Sequence, residues 1–300
     1  MTNRTYHRAS SQASVWLPMP TGDINEDWGF LLGFLKSAFQ KVFVTRYDRY
    51  SDTLSPPDFE FDLLVQLLAV RNLDLFTFMD RIAAERGVPM TNPAQASRIC
   101  VDKRNLPVLF PEFVPETRVV RDISDVEICF HDWDGDIIVK PPFYGMGESI
   151  IRINSPDALG EAAEVLEISP SRDIVVQPFC EGFSQGDQRV LLTRSTSGEP
   201  MILGNFGRIP KPGGWMTNIT QGASFFFRPL ESDERALALE VFHRTGLDYA
   251  GLDIGRHDGR AFLIEVNPTG GGLIDCDVKY QTNTQTVLFD LLQSRLDGAL

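Results

Sequence analysis

The 300-residue chain is poor in cysteine and histidine, with four of each. The cysteines stand far apart, at Cys100, Cys129, Cys180 and Cys276, and no CxxC pair occurs. That spacing argues against a zinc cluster and reads as free thiols in a reducing cytoplasm. The histidines sit in no catalytic context, so Ser-His or Cys-His nucleophilic chemistry has no support. No run of Lys or Arg appears; 28 basic residues face 41 acidic ones, for a net charge of −13. A nucleic-acid binder would show a basic face, so the acidity argues for a protein that handles small molecules. No apolar run reaches membrane-spanning length. The start, MTNRTYHRASSQAS, has no apolar core and is no secretory signal; Arg- and Ser-rich and free of acids, it reads as a disordered segment over 1–14. No repeat, low-complexity tract or GxGxxG after the first strand is present, which excludes a dinucleotide site there.

What is present is ordinary globular composition, 43% hydrophobic and 23% charged, enough for two or three domains. SVWLPMP (14–20) and VFVTRY (42–47) read as strands around a helix over 25–41. A short apolar piece (61–68), an amphipathic helix closed by Gly87 (74–87) and a strand at 88–92 continue an α/β rhythm, which predicts a mostly parallel sheet over 15–98. From 99 to 178 the pattern becomes α+β: strands at FVPETRVV, DIIVKP, SIIRINS and RDIVVQPF, a helix at 123–131, and a helix at 156–168 opened by Ser155 and Pro156. From 179 to 300, DQRVLLTR and PMILGNFGRIP predict long antiparallel strands around STSGE. A helix (232–246), the pair YAGLDIG and RAFLIEVN, and a last helix (283–296) complete this unit.

The stretch FLIEVNPTGGG (262–272) ends an apolar run in Glu265 and Asn267. Strand alternation puts both on one face, a half-site for a hard cation or simply two solvated residues at a strand end. Asp253 lies on the preceding strand. With a two-residue Asp258-Gly259 turn, Asp253 would oppose Ile264 and point away from Glu265. A three-residue His257-Asp258-Gly259 loop, or a bulge at Gly255, would restore a common face.

Other stretches carry charge or glycine at strand ends. In IIVKPPFYGMGESIIRI, Lys140 precedes a loop whose Gly145 and Gly147 let backbone N–H groups approach an anion; a plain glycine-turn hairpin reads equally from this stretch. Gln177, Pro178 and Phe179 end a strand whose edge groups could face an adenine ring. Asp187 and Arg189 share a strand face, and Arg208 ends the next strand. Two arginines suit a carboxylate or phosphate, or are a pair of surface charges.

The ordered set Lys103, Lys140-Pro141 with GMG (Gly145, Met146, Gly147), Gln177, Gly186-Asp187-x-Arg189, Arg208-Ile209-Pro210, Gly251-Leu252-Asp253 and Glu265-x-Asn267 resembles the ATP-grasp superfamily, and is most similar to bacterial glutathione synthetase. The resemblance implies an N-terminal α/β domain, a central α+β lid and a C-terminal antiparallel domain, with ATP gripped between the last two. By position Lys103 and Lys140 would contact phosphates, with Gly145, Met146, Gly147 and Asp187 among the nucleotide-binding residues and Gln177, Pro178 and Phe179 at the adenine. Asp253, Glu265 and Asn267 would hold Mg²⁺, as two ions, with Mn²⁺ a substitute. Arg189 and Arg208 would face an acyl phosphate or substrate carboxylate, with Lys140 sharing the catalytic work. The family's Asp before GMG is replaced by Phe143-Tyr144, its loop arginine after RIP by Trp215-Met216-Thr217, and its Thr-Ser-Pro run by Pro268-Thr269-Gly270-Gly271-Gly272. Residues 211–222 match its substrate-covering loop. These features imply a cytoplasmic, ADP-forming carboxylate–amine ligase for an amino acid or short peptide, with a homo-oligomer left open and neither nucleic acid nor membrane as partner. A cyclase of the cycloserine type and a non-catalytic ATP-binding protein are the competing readings.

Overall fold

The computed structural model describes residues 11–21, 26–47, 54–66, 73–143, 147, 149–269, 272 and 284–298. Among these residues three sheets form. A parallel sheet of order β2-β1-β3-β4 contains β1 (Ser11–Pro20), β2 (Phe39–Tyr47), β3 (Leu63–Val65) and β4 (Met90–Thr91). Alternation in β1 sends Val15, Leu17 and Met19 to one face and Trp16 to the other, so both faces are buried. Helix α1 (Glu26–Ala38) covers the first face and α2 (Asp74–Arg86) the second. Gly87 ends α2 in the left-handed region (φ 63°), with its N–H on the Ala83 and Ala84 carbonyls. The segment 11–14, expected to be disordered, belongs to β1: Ser11 pairs with Phe39, and Ser14 donates twice to Asp62.

Helices α3 (Ala94–Val101) and α4 (Leu106–Leu109) lead to an antiparallel sheet of order β5-β8-β6-β7. Its strands are β5 (Arg118–Val120), β6 (Ile137–Lys140), β7 (Ile151–Ile153) and β8 (Ile174–Pro178). α5 (Ile123–Asp132), N-capped by the Asp122 side chain, and α6 (Ala162–Ile168) cover the face carrying Ile137, Val139, Ile174 and Val176. The other face presents Ile138 opposite Gln177 and Lys140 opposite Val175. The helix read over 156–168 begins as a 3₁₀ turn at Pro156–Glu161, and the Ser155 side chain makes no cap bond. The tighter turn replaces the expected hydroxyl cap.

The third sheet is antiparallel, β11-β10-β9-β12-β13. It comprises β9 (Asp187–Arg194), β10 (Pro200–Ile209), β11 (Ser224–Phe226), β12 (Tyr249–His257) and β13 (Arg260–Asn267). Val190, Leu192, Leu252, Ile254, Leu263 and Val266 pack on α7 (Ser232–Thr245). The opposite face sends Leu191, Phe206 and Tyr249 into the core shared with β1, α1 and α8 (Thr284–Leu296). Among the described residues no helix is long and apolar enough to cross a membrane.

Asn92, fully buried just past β4, joins the first and third sheets. Its Nδ2 donates to the Tyr249 and Pro268 carbonyls at 2.8 and 2.9 Å. Its Oδ1 accepts from the Asp248 and Tyr249 N–H groups at 2.9 and 2.7 Å. Truncation leaves four buried backbone groups unpaired, and such groups are expensive. Asn92→Ala is expected to lose roughly 2–4 kcal/mol in urea unfolding; a loss within about 0.5 kcal/mol, the usual range for an inconsequential substitution, would show that the bridge contributes little.

Candidate functional site

The face of the third sheet turned away from α7 aligns the predicted site residues in rows. Phe206, Arg189, Asp253 and Glu265 lie directly opposite one another on β10, β9, β12 and β13. The next row holds Phe225, Arg208, Asp187 and Gly255 on β11, β10, β9 and β12. On the other side come Leu191, Gly251 and Asn267. The common face of Asp253 and Glu265 arises differently from either expected device. The turn is the two-residue one, with Asp258 and Gly259 both at positive φ (50° and 75°). The pairing then passes from Ile254↔Leu263 to Asp253↔Glu265, so Ile264 on β13 is the bulged residue. Gly255 assists instead of bulging: a Cβ there would stand 3.0 Å from Ile264 Cδ1 and 2.4 Å from a Phe183 ring carbon.

Asp253 is the centre of a buried charge network. It accepts from Arg189 through Nε and through Nη2 at 3.0 Å, pairs with Arg208 Nη2 at 3.0 Å and accepts from Asn267 Nδ2 at 3.4 Å. Gly251 permits this approach, since a Cβ there would stand 2.9 Å from Arg189 Cδ. Arg208 also grips Asp187 in a fork, with contacts of 2.8 and 2.5 Å. Burial alone would raise the Asp253 carboxyl, but Arg189 and Arg208 outweigh it and hold the group below the ordinary carboxylate range. The two arginines expected to face a substrate anion are therefore committed here to internal carboxylates, and Asp187, expected at the nucleotide, anchors Arg208.

The lysines form a second cluster. Lys103 Nζ lies 2.9 Å from Glu265 Oε1, and the Lys103 N–H donates to the Pro142 carbonyl, beside the end of β6. Lys140 is pushed down to about 8, first by burial and then by Lys103, with Glu265 and Cys180 opposing. Burial raises the Cys180 thiol to about 11. Two buried cations therefore share Glu265, which suits a polyphosphate.

Gly145 and Met146 lie outside the described residues. Gly147 has φ 74°, and a Cβ on it would stand 2.8 Å from Asn218 Oδ1. The Gln177 side chain donates to Thr117 Oγ1 at 2.7 Å, and the Phe179 N–H to the Asp136 carbonyl at 3.0 Å. That N–H is not offered to an adenine, as the sequence suggested. The Phe179 ring instead lies 3.5 Å from the Arg152 guanidinium and meets Trp215 edge-on at 6.0 Å. Phe143, standing where the family has Asp, packs 4.8 Å from the Arg104 guanidinium.

Residues 211–222 are held over this centre at three points: Trp215 on Phe179, Asn218 against Gly147, and Thr217 donating to Asp187 Oδ2 at 2.6 Å. Gly251 and Thr217 stood in the sequence as members of motifs, without the roles they take here, and Arg152 carried no signal.

Among the described residues no three His, Cys, Asp or Glu side chains cluster to hold a metal ion. The candidate set is two acids and an amide on one sheet face, hard oxygen donors of the kind Mg²⁺ takes. Asp253 and Glu265 are neutralised by Arg189, Arg208 and Lys103. The donor set fits a hard cation, on condition that it replaces those side-chain cations.

A sequence profile described as "Prokaryotic glutathione synthetase, ATP-grasp domain" matches residues 105–279. Glutathione synthetase of Shewanella oneidensis is 33% identical over 225 residues, covering 73% of this chain and 68% of that protein. For Photorhabdus laumondii subsp. laumondii the identity is 33% over 182 residues, covering 59% and 56%, so the match spans little more than half of that relative. D-alanyl-alanine synthetase A from Vibrio cholerae superposes with TM-score 0.73 at 14% identity, over 96% of this chain and 100% of that one. D-cycloserine synthetase DcsG gives 0.72 at 16%, over 96% and 100%. At these identities the two structures show a common ATP-grasp fold.

Lys140 gives the site a signature in stability. A lysine with a depressed native pKa destabilises the fold while it is charged in both states, below pH 8; the cost fades as pH rises towards 10.5. Lys140→Met is expected to stabilise the unliganded protein at pH 7 by on the order of 1–3 kcal/mol. In urea unfolding that gain should shrink between pH 8 and 10, while affinity for an ATP analogue falls. Destabilisation at pH 7 would instead mark Lys140 as structural.

Proposed function

We propose, from the premise that the chain belongs to the prokaryotic glutathione synthetase ATP-grasp family and is an ATP-dependent ligase, that it activates an amino-acid or peptide carboxylate as an acyl phosphate. The acyl group then passes to an amine, and ADP and phosphate leave. The observation that carries this reading is the pair Lys103 and Lys140 sharing Glu265 beside the Asp253–Arg189–Arg208 network on one sheet face.

A carboxylate does not condense with an amine in water because oxide is a very poor leaving group. Transfer of the terminal phosphoryl group to a carboxylate oxygen makes phosphate the leaving group. The amine attacks the carbonyl carbon, the C–O bond to phosphate breaks, and the amine's proton goes to solvent. The protein's part is positioning and charge neutralisation. Lys103 and Lys140 bind the phosphates. Ile138, Val175 and Gln177, on the face of the second sheet turned away from α5 and α6, wall the purine. Asp253, Glu265 and Asn267 would hold Mg²⁺, which when bound supplies charge neutralisation at the phosphate oxygens. Arg189 and Arg208, released in part from Asp253, orient the substrate carboxylate. The segment 211–222 excludes water from the activated acyl group. The proposed compartment is the cytoplasm and the proposed substrates are small molecules.

With substrate carboxylate labelled with ¹⁸O, one label is expected in the phosphate released. Label retained wholly in product, or found in AMP, would overturn the acyl-phosphate route. Phosphate release with one compound alone, rather than a pair, would convert the ligase into a cyclase. The Trp215–Phe179 contact predicts a second result: Trp215→Ala should raise the ATP hydrolysed per product above one, several-fold, with affinity for an ATP analogue nearly kept. A ratio held at one would show that Trp215 does not shield the intermediate.

A further inference from the structure

We propose that the activated substrate carries an apolar side chain, and that Phe225 with Phe206 forms the surface that selects it; this rests on the ligase reading above. The rows of the third sheet run from a polar end to an aromatic end. Glu265 and the two lysines lie at the β13 side, and Asp253 with its arginines in the middle. Beyond Arg189 the row ends in Phe206, and beyond Arg208 it ends in Phe225. The two rings meet edge-to-face at 5.3 Å, so they form one surface.

Phe206 is 4% exposed and belongs to the core shared by the first and third sheets. Phe225 is 43% exposed. The core therefore comes to the surface beside Arg208, on the face that carries the charged groups. Gly272, at φ 97°, closes the aromatic end from a third side: its backbone lies against Phe206, and a Cβ there would stand 2.6 Å from the ring. Among the described residues the two rows end in Phe206 and Phe225, beyond Arg189 and Arg208, which are paired with Asp253 and Asp187. A carboxylate oriented by Arg208, once it is released in part from Asp253, places its neighbouring side chain over Phe225. An apolar group gains there by leaving water, whereas a carboxylate would lose part of its hydration against the rings.

The discriminating measurement is binding, read without turnover. Leucine is compared with aspartate, and glycyl-leucine with glycyl-aspartate, by calorimetry in the presence of Mg²⁺ and a non-hydrolysable ATP analogue. In each pair the side chains are similar in shape and differ in charge. The wild-type protein is expected to favour at least one leucyl probe over its aspartyl counterpart by about tenfold or more, the discrimination an apolar contact supplies. Phe225→Lys should reverse the ratio and Phe225→Ala should bring it towards one, both with unchanged affinity for the ATP analogue, which reports an intact fold. Preference for the aspartyl probes, a ratio unmoved by Phe225→Lys, or no binding of any of the four would overturn the proposal. Absence of phosphate release from the wild-type protein with any substrate would overturn the ligase reading separately, and the binding ratio would still be readable.

Discussion

One inserted residue decides whether the site exists. Side chains alternate along a strand, so a register error of one moves every polar group of β13 to the wrong face. Ala261, Leu263 and Val266 all enter the core beneath α7, a spacing of two and then three. The extra residue is Ile264, and through it Glu265 and Asn267 join Asp253 on the face away from α7. The bulge needs room, which Gly255 opposite supplies, and the reach of Arg189 to Asp253 needs the missing side chain of Gly251. Two glycines on β12 thus serve one requirement: acids, arginines and the third strand must meet on a single surface.

That surface is charged but closed on itself. Asp187, Asp253 and Glu265 face Arg189, Arg208, Lys103 and Lys140, and most of these side chains are buried. Buried ion pairs recover their desolvation cost only when nearly every lone pair and proton is used, which the fork between Arg208 and Asp187 and the fourfold engagement of Asp253 achieve. At the lysines the balance is poorer: Lys103 pairs with Glu265, and burial together with Lys103 lowers Lys140. An incoming polyanion relieves the Lys140 strain directly, whereas a metal ion must first displace side-chain cations. On this physical account anion binding is favoured by the resting site, and metal entry is coupled to it.

Much of this was legible in the sequence, for identifiable reasons. The position of β9 follows from DQRVLLTR, an apolar Val-Leu-Leu centre with polar residues on both sides, and α2 from a 3.6-residue pattern closed by Gly87. The common face of Asp253, Glu265 and Asn267 was legible only as a conditional. Turn length and alternation showed that a bulge or longer loop was needed, but not that Ile264, an unremarkable apolar residue, would supply it. β11 was missed because its three residues carry no alternation distinguishable from the loop before them. The segment 11–14 looked disordered by composition, yet Asp62, 48 positions away from Ser14, gives it its partner. Asn92 gave no signal either, since its four bonds go to backbone groups more than 150 residues away.

The division of the core explains how such a site can open. The first and third sheets share one apolar cluster, in which Val15 and Leu35 pack with Leu191, Phe206 and Tyr249. They form a common base. The second sheet keeps a cluster of its own, drawn entirely from residues between Val120 and Val176. Its ties to the rest are mainly polar, with a few aromatic contacts such as Phe179 on Trp215: Arg104 bridges Asp102 and Asp173, the Lys103 N–H donates to Pro142, and Gly182 donates to His257 Nδ1 at 3.4 Å. Polar ties can exchange with water as they break, whereas parting a shared apolar core exposes it, so the weak direction of the molecule lies between the second sheet and the base. Lys140 belongs to that sheet and Glu265 to the base. The proposed phosphate site is therefore complete only where the two meet, and a nucleotide bound there would hold together the parts that their apolar cores leave independent.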